Sequence, residues 1–158
     1  MAEIAVRYPR LHTLELTRNT WITDLRPISA LPLKSLTLYG SSQLSNIEPI
    51  ASLNGLTFLD IGGDTPVSDL TPLTRLRKLQ HLIIGNSTRS LDLTPISKLP
   101  KIRTLHMEEM TEDTDLSPLA GMHNLSISMS EGQQVKGIER LHPSTHIRWV
   151  PREGGWII

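Results

Sequence analysis

The chain contains no cysteine. That excludes a disulfide framework, a thiolate metal site and a cysteine nucleophile. Aromatic residues make up only 4% of the sequence, so the core has to be aliphatic, and leucine supplies most of it. No stretch approaches the ~20 consecutive apolar residues of a membrane-spanning helix. The opening MAEIAVRYPR has no apolar run of signal-peptide length. A soluble chain with no membrane contact is expected, in the cytoplasm. Net charge is also missing, since 16 basic and 16 acidic residues balance to zero. Duplex-binding domains are usually strongly basic, so nucleic acid is not expected as a partner.

Catalytic signatures are absent too. There is no G-x-S-x-G and no phosphate loop. His142 and His146 stand four apart, but Pro143 between them breaks the helix that an H-x-x-x-H zinc pair needs. Gly62–Gly63 and Gly154–Gly155 read as turn glycines. Neither an enzyme activity nor a cofactor is expected.

What the sequence has is a repeated phrase. DLTPLTRLRKLQHLII at 69–84 recurs with the same grammar at 24–38, 46–61, 92–107 and 115–129. Its prolines, Pro27, Pro49, Pro72, Pro95 and Pro118, fall at intervals of 22, 23, 23 and 23 residues. Fixed self-similarity of this length marks a stacked repeat architecture. Each unit ends in an L-x-x-L-x-L run, such as Leu79/Leu82/Ile84, whose final L-x-L alternates with the period of a strand. The segment after each proline repeats at i, i+3 and suits a short helical turn. Asp24, Asn46, Asp69, Asp92 and Asp115 stand three residues before the prolines, where their oxygens can accept from free amides at a helix start. Proline in the first turn loses no needed donor.

Each unit is therefore expected to run strand, turn, capped short helix and return. One unit cannot bury its leucines alone, and stacking completes the core. The predicted fold class is an α/β repeat solenoid with a parallel sheet on its concave side. A period of 22–23 leaves room only for 3₁₀ turns or one- to two-turn helices on the convex side.

Five aligned copies of D-L-x-P-L-x-x-L-x-x-L-x-x-L-x-L resemble the leucine-rich repeats of the short internalin-like class over roughly residues 11–129. The resemblance implies a curved leucine-rich repeat stack. It also implies an inter-coil ladder of asparagine side chains after each strand, in a column that here reads Asn19, Ser41, Asp64, Ser87 and Met110. The wording of TDLRPISALPLKSLTL is also similar to the C-terminal leucine-rich segments of bacterial signalling ATPases with NACHT-type domains, which implies a sensor role.

Residues 1–158 are read as a single domain, with regular repeats over 11–129 and a degenerate repeat and cap over 130–158. The fifth unit slips by one residue beside Asn124, through a bulge or a deletion. A shortened sixth unit follows, with Gly137 in the proline position. Trp156, Ile157 and Ile158 are expected to cover the last coil. At the other end, either residues 1–10 form a cap through Ile4, Val6 and Tyr8, or the chain is a piece of a longer protein, and the second is favoured.

Strand residues between the leucines should face solvent on the concave side. The candidate partner-binding residues there are Glu15, Tyr39, Phe58, Asp60, His81, Ile83, His106, Glu108 and Arg148. Tyr39, Phe58 and Ile83 are apolar on a face that should be wet, which suits protein contact. His81, His106 and Glu108, with Asp60 nearby, suit a pH-sensitive contact. The acidic run EEMTEDTD at 108–115 reads as a solvated loop or as a docking site for a basic partner. The function expected is protein recognition, ligand-sensing or autoinhibitory, toward a protein partner or adjacent domains of a parent chain. The alternative is a rigid spacer or capping domain with no ligand of its own.

Overall fold

A computed structural model describes residues 2–63, 65–85 and 90–151. The repeats form a curved solenoid around a seven-stranded, all-parallel sheet in sequential order. The strands are β1 (Thr13–Glu15), β2 (Ser35–Thr37), β3 (Phe58–Ile61), β4 (His81–Gly85), β5 (Thr104–Glu108), β6 (Ser126–Ser130) and β7 (His146–Val150). The register follows the repeat. Leu14, Leu36, Leu59, Leu82, Leu105, Ile127 and Ile147 pair across neighbouring strands. Their side chains face the coil interior, where Leu36, Leu59, Leu82, Leu105 and Ile127 are fully buried. Each such leucine removed from water contributes roughly 1.5–3 kcal/mol before the cost of ordering the chain.

The convex side carries short 3₁₀ segments at Arg26–Ile28, Glu48–Ser52, Thr71–Arg75 and Ser117–Leu119, and one α-helical turn, α2 (Thr94–Ser97). α1 (Ala2–Arg7) precedes them all. The predicted cap positions work as closed Asx turns. The side-chain oxygens of Asp24, Asn46, Asp69, Asp92 and Asp115 accept from the backbone N–H two residues on, at 2.8–2.9 Å. The donated hydrogen bonds favour the carboxylate form, which holds Asp69, Asp92 and Asp115 below the ordinary aspartate value; Asp24 is lowered by its bond from Arg26. The proline follows at N1 or N2 each time.

The slip in the fifth unit is taken up at Asn124, whose φ of 55° lies in the left-handed region that asparagine tolerates. One residue fewer separates Leu125 from β6, and the strand register beyond it is intact. The sixth unit corrects the sequence reading. Gly137 does not hold the proline position. The bridge between Asp115 and Lys136 sets Gly137 opposite Leu116, two residues before it. Glycine is needed there: φ is 76°, and a Cβ would lie 2.6 Å from Asp115 Oδ1.

The side-chain ladder is also corrected. Ser41 takes its expected place, bonding Leu16 O at 3.3 Å. Asp64 and Ser87 lie outside the described residues, as do Gly154, Gly155 and the expected cap of Trp156, Ile157 and Ile158. Thr65, one residue beyond the expected column, carries the next rung. Its buried Oγ1 donates toward Leu38 O or Gly62 O and receives the Ser41 N–H. At the N-terminus Ile4 and Ala5 pack on the core, while Val6 and Tyr8 stay exposed. The expected cap therefore rests on α1 through Ile4 and not through Val6 or Tyr8. A short helix can bury one side only: Val6, two residues from Ile4, faces away, and Tyr8 lies past the end of α1.

Candidate functional site

The concave face is set by the strand residues that alternate with the buried leucines. Three columns cross it. Phe58, His81 and Thr104 align in the first, Glu15, Thr37, Asp60, Ile83, His106, Ser128 and Arg148 in the second. In the third, Gly85 stands opposite Glu108, and Tyr39 and Gly62 occupy the corresponding positions of their own units.

This face is drier than the sequence suggests. Asp60, Ile83 and Glu108 are only 6, 5 and 7% exposed, whereas Glu15 and Arg148, on the outermost strands, are exposed. Phe58, Tyr39, His81 and His106 are half-buried. The expectation that strand residues between the leucines face solvent thus fails at the centre of the sheet.

Glycine explains the difference. Gly62 and Gly63, after β3, and Gly85, ending β4, leave a side-chain-free gap in the third column. Glu108 leans back across Gly85 from β5, and its Oε2 accepts from Gly63 N–H at 3.2 Å. A Cβ on Gly62 would sit 2.8 Å from that oxygen, and one on Gly85 would sit 3.0 Å from Glu108 O. Tyr39 leans in from the other side, with its Cζ 3.0 Å from where a Cβ on Gly63 would stand. Asp60 completes the cluster, its Oδ1 accepting from Gly62 N–H at 2.9 Å. Tyr39, Asp60 and Glu108 thus meet over the two glycine steps. Glu108 is therefore not part of a solvated acidic loop. Of that run Glu109, Glu112, Asp113 and Asp115 are exposed, and Asp113 pairs with Lys136 at 2.6 Å.

Burial dominates the electrostatics. It raises Glu108 to about 7, with Asp60 and Glu109 adding to the rise and the Gly63 hydrogen bond opposing it. Asp60 is raised by the same loss of water, against the Gly62 hydrogen bond. Tyr39 is raised by burial and by the nearby Glu108 carboxyl. Beside the cluster, His81 Nδ1 lies 2.8 Å from Thr104 Oγ1. His106 is lowered, first by burial and then by His81 and Arg148.

The structure thus gathers Tyr39, Asp60, Ile83 and Glu108, sets His81 and His106 next to them, and leaves Glu15 and Arg148 at the margins. Sequence reasoning did not use the glycine column, although Gly62 and Gly85 stand in it where other units carry side chains. It also missed Gln133, whose buried amide has no hydrogen-bond partner. Gln133 lines a cavity of about 590 Å³ between the loops after β5 and β6, together with Glu109, Met110 and Ser130. The His142 ring lies against the His123 ring, with centroids 3.9 Å apart and the planes tilted by 52°. Among the described residues no three potential ligands come together as a metal site, and no helix is long and apolar enough to cross a membrane.

Seven parallel strands joined by 3₁₀ turns at a 22–23-residue period define the leucine-rich repeat fold. Similar solved structures agree. Internalin C2 from Listeria monocytogenes matches with a TM-score of 0.66 and 28% identity, covering 89% of this chain and 71% of that one. An internalin, InlF, from the same organism matches with a TM-score of 0.60 and 21% identity, covering 89% of this chain and 47% of that one. No family model matches the sequence, and no curated protein matches it. The neighbours support placing the chain among leucine-rich repeat proteins, as a repeat module for protein interaction.

Proposed function

We infer that the concave sheet is a protein-recognition face, and that it serves a larger cytoplasmic signalling protein as a ligand-sensing or autoinhibitory segment. One observation carries the reading. The centre of the face combines half-buried aromatic rings, Tyr39 and Phe58, with carboxyl groups desolvated at Asp60 and Glu108. A spacer gains nothing from carboxyl groups held out of water, because that burial costs stability. Aromatic anchors beside dry polar groups are what concentrate binding energy at an interface. The NACHT-like wording of TDLRPISALPLKSLTL supports a parent of that signalling class, and a nucleotide-binding domain in the same reading frame would be its direct mark.

Photo-crosslinking tests the face. Benzoylphenylalanine is placed at Phe58 on the concave side and, in a second variant, at the exposed convex Ser97. A partner crosslinked from Phe58 and not from Ser97, which then binds the purified wild-type chain, is the expected result. Equal capture from both positions overturns the reading.

A further inference from the structure

Among the described residues Asp60 and Glu108 have no ion-pair partner. Among the described residues the ion pairs are Asp24 with Arg26, Asp113 with Lys136 and Glu139 with Arg140. Asp60 and Glu108 each accept one backbone hydrogen bond, through Oδ1 and Oε2. Among the described residues their second oxygens, Asp60 Oδ2 and Glu108 Oε1, accept none, though both residues are more than nine-tenths buried. Nor are those oxygens sealed. The enclosed polar atoms without partners, among the described residues, belong to Gln133 and Thr145. Those oxygens are therefore not enclosed, and they belong to the cluster that the Tyr39 ring borders at Gly63.

Two carboxyl groups with an unfilled acceptor each, next to an aromatic ring, are complementary to one kind of group. A guanidinium is planar, presents forked donors to carboxylates and stacks on aromatic faces. It is also more weakly hydrated than an ammonium, so it enters a dry site at lower cost. We propose that Tyr39, Asp60 and Glu108 form the seat of an arginine side chain presented by the protein partner. This rests on the concave recognition reading and gives it a partner chemistry.

The seat has a pH signature. Arginine stays charged throughout, while Glu108, raised to about 7, ionises across neutrality. The groups that face Glu108 are Asp60 from β3, Tyr39 just past β2 and Glu109 beside it, while Arg18, past β1, acts on Tyr39 and opposes its rise. The intervening β4 contributes uncharged Ile83 and Gly85, and β6 contributes serines. Arg148 and His81 act on His106. With Glu108 as the group that must ionise, the competent fraction rises roughly tenfold between about pH 6 and about pH 8.

The test is an NMR titration of the ¹⁵N-labelled chain with the peptide Ac-Gly-Ser-Arg-Ser-Gly-NH₂. Its control replaces arginine with citrulline, which keeps the shape and removes the charge. The arginine peptide should shift the Gly62 and Gly63 amide signals, and the citrulline peptide should not. Affinity should rise about tenfold from about pH 6 to about pH 8. Glu108→Gln should abolish that rise, Asp60→Asn should weaken binding and keep it, and Glu48→Gln on the convex side should change nothing. Equal shifts from the two peptides, or a pH rise that survives Glu108→Gln, overturn the proposal. Unmoved Gly62 and Gly63 signals, with concave crosslinking intact, sink the arginine seat and leave the recognition face standing. Loss of both sinks both.

Discussion

Glu108→Gln should stabilise this protein, increasingly as pH rises above about 4.5 and fully above about 7. The native carboxyl is raised from 4.5 to about 7 by burial. Because the folded state holds this proton more tightly than the unfolded chain, the sign is fixed. Stability is full below 4.5, falls as pH rises through the window up to about 7, and stays low above it. The size follows from the gap between the two values, about 3 kcal/mol at most. Glutamine keeps a carbonyl for the Gly63 N–H and cannot ionise. It also relieves Asp60, which is raised in the same direction. His106 is lowered by burial and contributes the opposite slope, losing stability as pH falls below about 6.5. That slope is common to both proteins and cancels in their difference. Urea unfolding of native and variant chains from about pH 5 to about pH 8 gives that difference. It should be at most about 1 kcal/mol at the acid end and grow to about 3 kcal/mol in favour of Glu108→Gln. Parallel curves across the range would refute the claim that Glu108 is held out of water.

Other outcomes test the frame. Leu82→Ala empties a fully buried position in the central strand and should cost ~2–5 kcal/mol in urea unfolding; an unchanged midpoint would mean the coil register is wrong. Thr65→Val keeps the shape but removes an oxygen bonded to Leu38 O, Gly62 O and Ser41 N–H, and should cost about 1–3 kcal/mol in the same assay. Gly85→Ala forces a methyl to within 3.0 Å of Glu108 O and should destabilise by about 1–3 kcal/mol, with shifted NMR signals at Gly63. Asn46→Ala opens the Asx turn to Glu48 N–H and should cost about 0.5–2 kcal/mol by thermal unfolding.

The scaffold was legible in the sequence because its cause is periodic. Leu59, Leu82 and Leu105 recur at the same place in the phrase, and one unit's geometry predicts the next. Asp69 and Pro72 announce a helix start through local hydrogen bonding and a fixed φ, which need no tertiary knowledge. The candidate site was legible only as columns. Alternation places Asp60, Ile83 and Glu108 on the concave side, but their burial depends on neighbours the period does not dictate. Gly62 and Gly85 remove side chains from the third column, Gly63 follows it, and the long side chains of Tyr39 and Glu108, from units three strands apart, then fill the gap. Thr65 was missed for a related reason: a turn extended by one residue moves the ladder rung without disturbing the strand that follows. Gly137 was misplaced because the sixth unit has no proline to anchor its count.

The bond from Gly63 N–H to Glu108 spans 45 residues, about twice the repeat. The inter-coil side-chain bonds at Ser41, Thr57 and Thr65 span 23 to 27. A solenoid of identical coils behaves as a one-dimensional Ising chain with coupling only between nearest neighbours. Glu108 adds a next-nearest coupling, which locks the coils carrying β3, β4 and β5 into one cooperative block. Native-state hydrogen exchange should find those three opening together. The coils outside them are free to fray one at a time.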